Sequence, residues 1–274
     1  MIKKSTIELT SENKIYYTLR VASAMCFIGH GAFGIITKQI WSNYFAVFGI
    51  GHNLSFQMMP VLGTIDILMG IAILFYPIRA LFIWLIIWGI VTALLRPLSG
   101  EPLAEFFERA GNFGAPLALL LFYGGAGLNL KGLGKIIVPK SPFDLKAKKR
   151  AIICLRFVVF LLIIGHGWLN LIEKKSLLNL YTSFGFVSPG NIAVSLGILE
   201  VVAAVIVLIS PFKNLVLALL IWKIATELFY PHYELFEWIE RGGSYGTILA
   251  LWFSLDNIKS TSTYSFNDYK SYAA

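Results

Sequence analysis

Charge is what this chain has least of. Of its 274 residues only 14% are charged, whereas 57% are hydrophobic and the mean hydropathy is +0.72. Soluble domains carry about 25% charged residues, so this much apolar surface cannot be hidden in one soluble core. Cysteine is nearly absent: Cys26 and Cys154 stand in separate apolar stretches without Cys-x-x-Cys spacing. That excludes a disulfide scaffold and a self-contained dithiol enzyme, and leaves two buried free thiols. The chain also lacks a His-Glu-x-x-His pair and a phosphate-binding loop, so it offers no metalloprotease or nucleotide-binding signature and no complete catalytic constellation.

What is present is a succession of apolar runs near the roughly 20 residues that cross a bilayer as helix. They cover residues 15–37, 60–76, 78–95, 113–130, 151–172, 192–210, 212–230 and 243–258. In lipid the backbone must satisfy its own hydrogen bonds, which helices do. The pattern predicts an all-α polytopic transmembrane bundle of eight spans. The last run is short on charge-free residues and has to lean on the rest of the protein.

The polar segment 1–14 lacks a small-residue cleavage pattern, so the first span reads as a retained anchor. A net charge of +8 does not point to nucleic acid here, because the basic residues follow the membrane. With the N-terminus in the cytoplasm, most lysines and arginines outside the spans fall on that side, as the positive-inside rule requires. Both termini are then cytoplasmic in a cell (plasma or inner) membrane, with 131–150 a basic linker, 259–274 a polar tail and the lipid bilayer the principal partner.

The chain repeats itself. Ile-Gly-His-Gly occurs at 28–31 and again at 164–167, and in both places Leu-Arg stands ten residues before the histidine, at Arg20 and Arg156. The offset is 136 residues. At an offset of 134, Leu62-Gly63-x-x-Asp66 meets Leu196-Gly197-x-x-Glu200, and Pro77, Trp88, Thr92 and Pro97 meet Pro211, Trp222, Thr226 and Pro231. At 132, Glu105, Glu108-Arg109, Gly111 and Asn112 meet Glu237, Glu240-Arg241, Gly243 and Ser244. Residues 15–130 and 151–258 therefore read as two four-helix repeats. Four spans is an even number, so the repeats are parallel, related by an axis along the membrane normal.

The arginine that opens the first helix, the Gly-His-Gly near its far end and the Leu-Gly-x-x-acid start of the second resemble the DoxX-like four-helix membrane proteins. The resemblance covers both halves, which together look like a tandem duplication of that unit, without an adjoining soluble domain. It implies fold first. Because some members are linked to quinone-dependent sulfur oxidation, it also implies a lipophilic carrier such as a quinone and a membrane redox partner.

Depth gathers the polar residues. His30 lies ten residues beyond Arg20, roughly 15 Å further outward, and Asp66, six residues into an inward-running helix, lies roughly 9 Å below the outer surface. The two share a level in the extracytoplasmic half. Arg96, Glu101, Glu105, Glu108, Arg109 and Asn112 cluster above them, and the second copy offers His166, Glu200, Thr226, Glu237, Glu240, Arg241 and Ser244. Ionisable groups within spans mark pathways and proton relays, so His30, Asp66, Arg96, Glu108, Arg109, Asn112, His166, Glu200, Lys223, Thr226, Glu227, Glu240 and Arg241 are ligand or proton-transfer candidates, with no catalytic residue assigned. Lys223 and Glu227 have no counterpart, since Gly89 and Ala93 stand in the first copy; four residues apart on one helix face, they can neutralise each other.

Each motif has a plainer reading. Gly-His-Gly can be a packing device, its glycines admitting a neighbouring helix. Glu108-Arg109 and Glu240-Arg241 can be surface ion pairs at helix starts, and Trp41, Tyr44, Phe45 and Phe48 fit an interfacial aromatic belt. Two equivalent histidines can also serve as axial ligands to one haem, but nothing else in the sequence demands that cofactor. Two function classes compete with a redox-linked carrier-binding subunit: a small-solute transporter using the intramembrane His, acid and Lys residues, and an accessory subunit without chemistry.

Overall fold

Thr10 opens the first helix by accepting a hydrogen bond from the Asn13 backbone N–H at 3.3 Å, and Asp144 does the same for the central helix at Lys146. The computed structural model describes residues 10–124, 132–139, 144–228 and 235–255, and these are almost entirely helical. The helices are α1 (Ser11–Ile35), α2 (Trp41–Ala46), α3 (His52–Phe75), α4 (Arg79–Leu98), α5 (Ala104–Glu108), α6 (Ala110–Leu119), α7 (Leu145–Leu171), α8 (Lys175–Ser183), α9 (Pro189–Ile209), α10 (Lys213–Leu228), α11 (Leu235–Glu240) and α12 (Gly242–Leu255). A π-helical turn, Leu120–Gly124, continues α6 beyond Pro116. The tail from residue 256 onward lies outside the described residues.

Five helices, α1, α3, α4, α7 and α9, are long and apolar enough to cross a membrane. The other apolar runs form shorter helices: α6 with its π turn, α10 and α12. Two helix starts differ from the expected spans by more than four residues. The fifth run begins at Leu145 because Asp144 caps it, so the end of the basic linker is helical. The second begins at His52 and passes through Pro60, whose missing N–H a membrane helix tolerates.

The molecule is apolar on the outside as well as within. On α3, Val61, Leu68 and Phe75 are exposed; on α9, Leu199, Val202 and Ile209 are. Stripes of this size are not left to water. The central core joins α1, α4, α6, α7, α10 and α12 around Leu19, Phe82, Leu119, Leu162 and Leu251, so α12 is enclosed by protein, as its short apolar run requires.

Packing crosses between the two sequence halves. α1 lies against α3, and also against α11 and α12 from the second half; α7 lies against α9, and also against α5 and α6 from the first. Gly111 and Gly243 form the central crossing. A Cβ on Gly111 would come within 2.6 Å of the Ser244 backbone nitrogen, and one on Gly243 within 2.6 Å of the Gly111 carbonyl oxygen.

Candidate functional site

Gly-His-Gly has a steric basis on both sides of the histidine. A Cβ on Gly29 would collide with the Glu240 backbone in α11, and a Cβ on Gly165 with the Glu108 backbone in α5. The second glycine of each motif makes room for the helix of its own half: Gly31 against Gly63, and Gly167 against Gly197. Each histidine is thus wedged between its own half and a short helix of the other. The glycines are packing devices, and what they pack around is polar.

The histidines meet the carboxylates that depth assigned to them. His30 Nδ1 lies 2.7 Å from Asp66 Oδ2, and His166 Nδ1 lies 2.7 Å from Glu200 Oε1. The second pair is held more tightly. Trp222 Nε1 donates to Glu200 Oε1 at 2.8 Å, Asn170 Nδ2 donates to Glu200 Oε2 at 3.0 Å, and Tyr181 Oη donates to Asn170 Oδ1 at 2.6 Å. In the first half Asp66 is one methylene shorter, Trp88 Nε1 is buried without a partner, and Gly34 stands where Asn170 does. Asn170 escaped sequence reasoning, although its place one turn after His166 was the available signal.

Between the two pairs runs an ion-pair network buried in the protein. Arg109 Nη1 reaches Glu105 at 2.6 Å and Glu108 at 3.0 Å; Arg241 Nη1 reaches Glu108 at 2.9 Å. Lys223 Nζ lies 2.6 Å from Glu227 and 3.5 Å from Glu108. The expected Lys223–Glu227 pair therefore forms, but it is not self-contained. Arg96 binds Glu101 at 3.0 Å and Glu105 at 3.5 Å, and Lys174 also pairs with Glu105. Thr226 donates to the Lys223 carbonyl oxygen.

The surface-pair reading of Glu108-Arg109 and Glu240-Arg241 is corrected, since all four residues are at least nine-tenths buried. They close the short helices α5 and α11, which the glycine contacts pack inward, and charges so buried need partners. Burial pushes the Glu108 carboxyl up, but Arg241, Lys223 and Arg109 outweigh it and hold the group well below the usual carboxylate range. Burial acts on Glu105 in the same direction and is outweighed chiefly by Arg109.

Two cavities adjoin this network. The smaller, about 190 Å³, is lined by His30, Asp66, Trp88, Thr92, Asn112 and Glu240, with an aromatic wall. Trp41, Tyr44 and Phe45 belong to that wall and are buried against Phe33 and Met59; only Phe48 is exposed, at 62%. The belt reading is therefore corrected for three of the four rings, because α2 folds back over α3 and carries them inward. The larger cavity, about 700 Å³, is lined by His166, Trp222, Thr226, Glu227 and Arg241 beside Leu169, Leu177 and Phe186. Arg96 and Arg109 line both. Ser244 is buried without a hydrogen bond to its hydroxyl and lines neither.

His30 and His166 face different cavities, so the arrangement does not bring two imidazoles to one shared haem. Among the described residues no group of three His, Cys, Asp or Glu side chains is placed to hold a metal ion. Comparison of the chain with protein-family models, with characterised proteins and with solved structures gave no match.

Proposed function

We propose that the chain is a multi-pass membrane protein of eight spans, arising by duplication of a DoxX-like four-helix unit, that binds a lipophilic carrier such as a quinone in the larger cavity. The observation that carries this reading is the state of His166. Its Nδ1 is clamped by Glu200, itself held by Asn170 and Trp222, while Nε2 has no partner among the described residues on a side chain that lines an apolar-walled cavity.

A clamped imidazole has a defined task. With Nδ1–H donating to the carboxylate, the neutral ring offers Nε2 as an acceptor to a hydroxyl; once protonated, it offers Nε2–H to a carbonyl oxygen. A quinone supplies the interconversion of those two oxygen forms, with electrons from a separate membrane redox partner. His166 holds or receives the proton at Nε2, Glu200 stabilises the imidazolium, and Leu169, Leu177 and Leu180 give the apolar part of the wall. A cavity of about 700 Å³ admits a ring-sized head group, and its lining sets ionisable groups such as Arg96, Glu108, Lys174 and Arg241 against a leucine wall.

Titration of a short-chain quinone into the purified full-length protein in detergent, followed by tryptophan fluorescence, tests the reading because Trp222 hydrogen-bonds the same Glu200. Saturable quenching is expected, weakened about tenfold or more by His166→Ala, which removes one charge-assisted contact. Equal affinity in the two proteins would overturn it.

A further inference from the structure

The smaller cavity differs in chemistry from the larger one. At two matching positions the first half carries rings where the second carries leucines, Trp41 against Leu177 and Phe33 against Leu169, while Phe45 is matched by Tyr181 and Met59 by Ala193. The acids that the halves exchange differ as well. Glu108, given by α5 to the larger cavity, is neutralised by Arg241, Arg109 and Lys223. Glu240, given by α11 to the smaller cavity, is only 7% exposed and has no hydrogen bond or ion pair among the described residues.

An unpaired buried carboxylate is costly unless it meets a positive charge. The arginines whose charge it feels are paired with other acids, Arg241 with Glu108 among them. Arg96 is held by Glu101 and Glu105, and Arg109 by Glu105 and Glu108. His30 is joined to Asp66. Burial pushes the Glu240 carboxyl up, yet His30, Arg241 and Arg109 together hold it below the usual range, which keeps it ionised.

We propose that the smaller cavity binds a small organic cation of the alkylammonium class, with Glu240 as its counter-ion and the rings of Trp41, Phe45 and Trp88 in its wall, His30 covering one side of Trp41 at 4.5 Å between ring centroids. Aromatic faces attract ammonium groups, more strongly where water is excluded. Phe48, exposed at the rim, stands at the entrance. The ring of Tyr44 is already covered by Arg96, whose guanidinium carbon lies 5.4 Å from its centroid, so it closes the wall without serving the ligand. A volume of about 190 Å³ restricts the site to small head groups. The proposal does not depend on a quinone in the larger cavity.

The test uses the full-length protein in detergent, with tetramethylammonium chloride as probe, tert-butanol as its uncharged analogue and sodium chloride to match ionic strength. Tryptophan fluorescence and thermal unfolding are read together, since a ligand that binds the folded state raises the unfolding temperature. Tetramethylammonium is expected to give a saturable response and a raised melting point, with no comparable effect from tert-butanol or sodium. Glu240→Gln should weaken the response about tenfold or more, as expected for loss of a desolvated charge contact, and His166→Ala should leave it intact. Trp41→Leu, which installs the side chain found at Leu177, should weaken it as well. An equal response to tert-butanol, no saturable response in the wild type, or undiminished binding in Glu240→Gln would each overturn the proposal; the first two require no variant to fold.

Discussion

Lys223 illustrates how far a single residue can be understood from its neighbours in sequence. Its pairing with Glu227 follows from spacing of four on a helix, and it forms at 2.6 Å. Its second partner, Glu108, and the bond from Arg241 to Glu108 were illegible, because they join residues more than a hundred positions apart through the glycine crossing. Lys223→Met strips a buried charge from two carboxylates and should destabilise the protein by about 3–5 kcal/mol. The double change of Lys223→Met with Glu227→Gln should recover part of that loss in thermal unfolding, although Glu108 keeps its two arginines. Equal melting points for the single and double variants would count against the network.

The same charges set an acid limit. Glu105, Glu108 and Glu240 have carboxyls depressed in the folded protein, so their stabilising contribution is complete above the unfolded value of about 4.3 and is lost as pH falls through the depressed folded values. Melting temperature should therefore drop steeply below the ordinary carboxylate range. Glu105→Gln should start lower at neutral pH and fall less on acidification, and parallel profiles for the two proteins would contradict this assignment.

At the scale of elements, Thr37 and Glu173 are instructive. They follow α1 and α7, stand 136 residues apart, and both adopt left-handed backbone, with φ of 54° and 53°. A side chain there costs about 1–2 kcal/mol, which glycine avoids. Thr37→Gly should raise the melting temperature; an unchanged or lowered value would show that the loop geometry is not strained at this point. Gly29→Leu and Gly165→Leu should have the opposite effect, since each would push a short helix off its histidine. The long helices were readable from hydropathy, because lipid selects for apolar length. The short helices α2, α5 and α11 were not: α2 looked like an interfacial belt because ring enrichment marks an interface as readily as a fold-back over a cavity, and α5 and α11 looked like surface charge because burial by the opposite half leaves no local trace.

At the scale of the whole molecule, similar contacts recur in the two halves, within one residue of the positions that the sequence offsets pair. Arg20 caps the last carbonyls of α3, at Ile73 and Leu74, and Arg156 caps those of α9, at Leu208 and Ile209. Recurrence of this kind is what duplication would leave, and the side chains that depart from it (Asn170 for Gly34, Lys223 for Gly89, Leu177 for Trp41) are those that distinguish the two cavities. The proposed eight spans, four in each half, would put both ends of the chain on the same side of the membrane. A reporter fused after residue 274 should be active in the cytoplasm and inactive when its activity requires export, and the reverse would refute the parallel arrangement.

The central claim, a lipophilic carrier held at His166, is tested most directly by organic extraction and mass spectrometry of protein purified in mild detergent from quinone-containing membranes. The account predicts a quinone near one per chain in the wild type and in His30→Ala, and its depletion in folded His166→Ala. Wild-type protein free of quinone, or a His166→Ala variant that retains the wild-type amount, would contradict it.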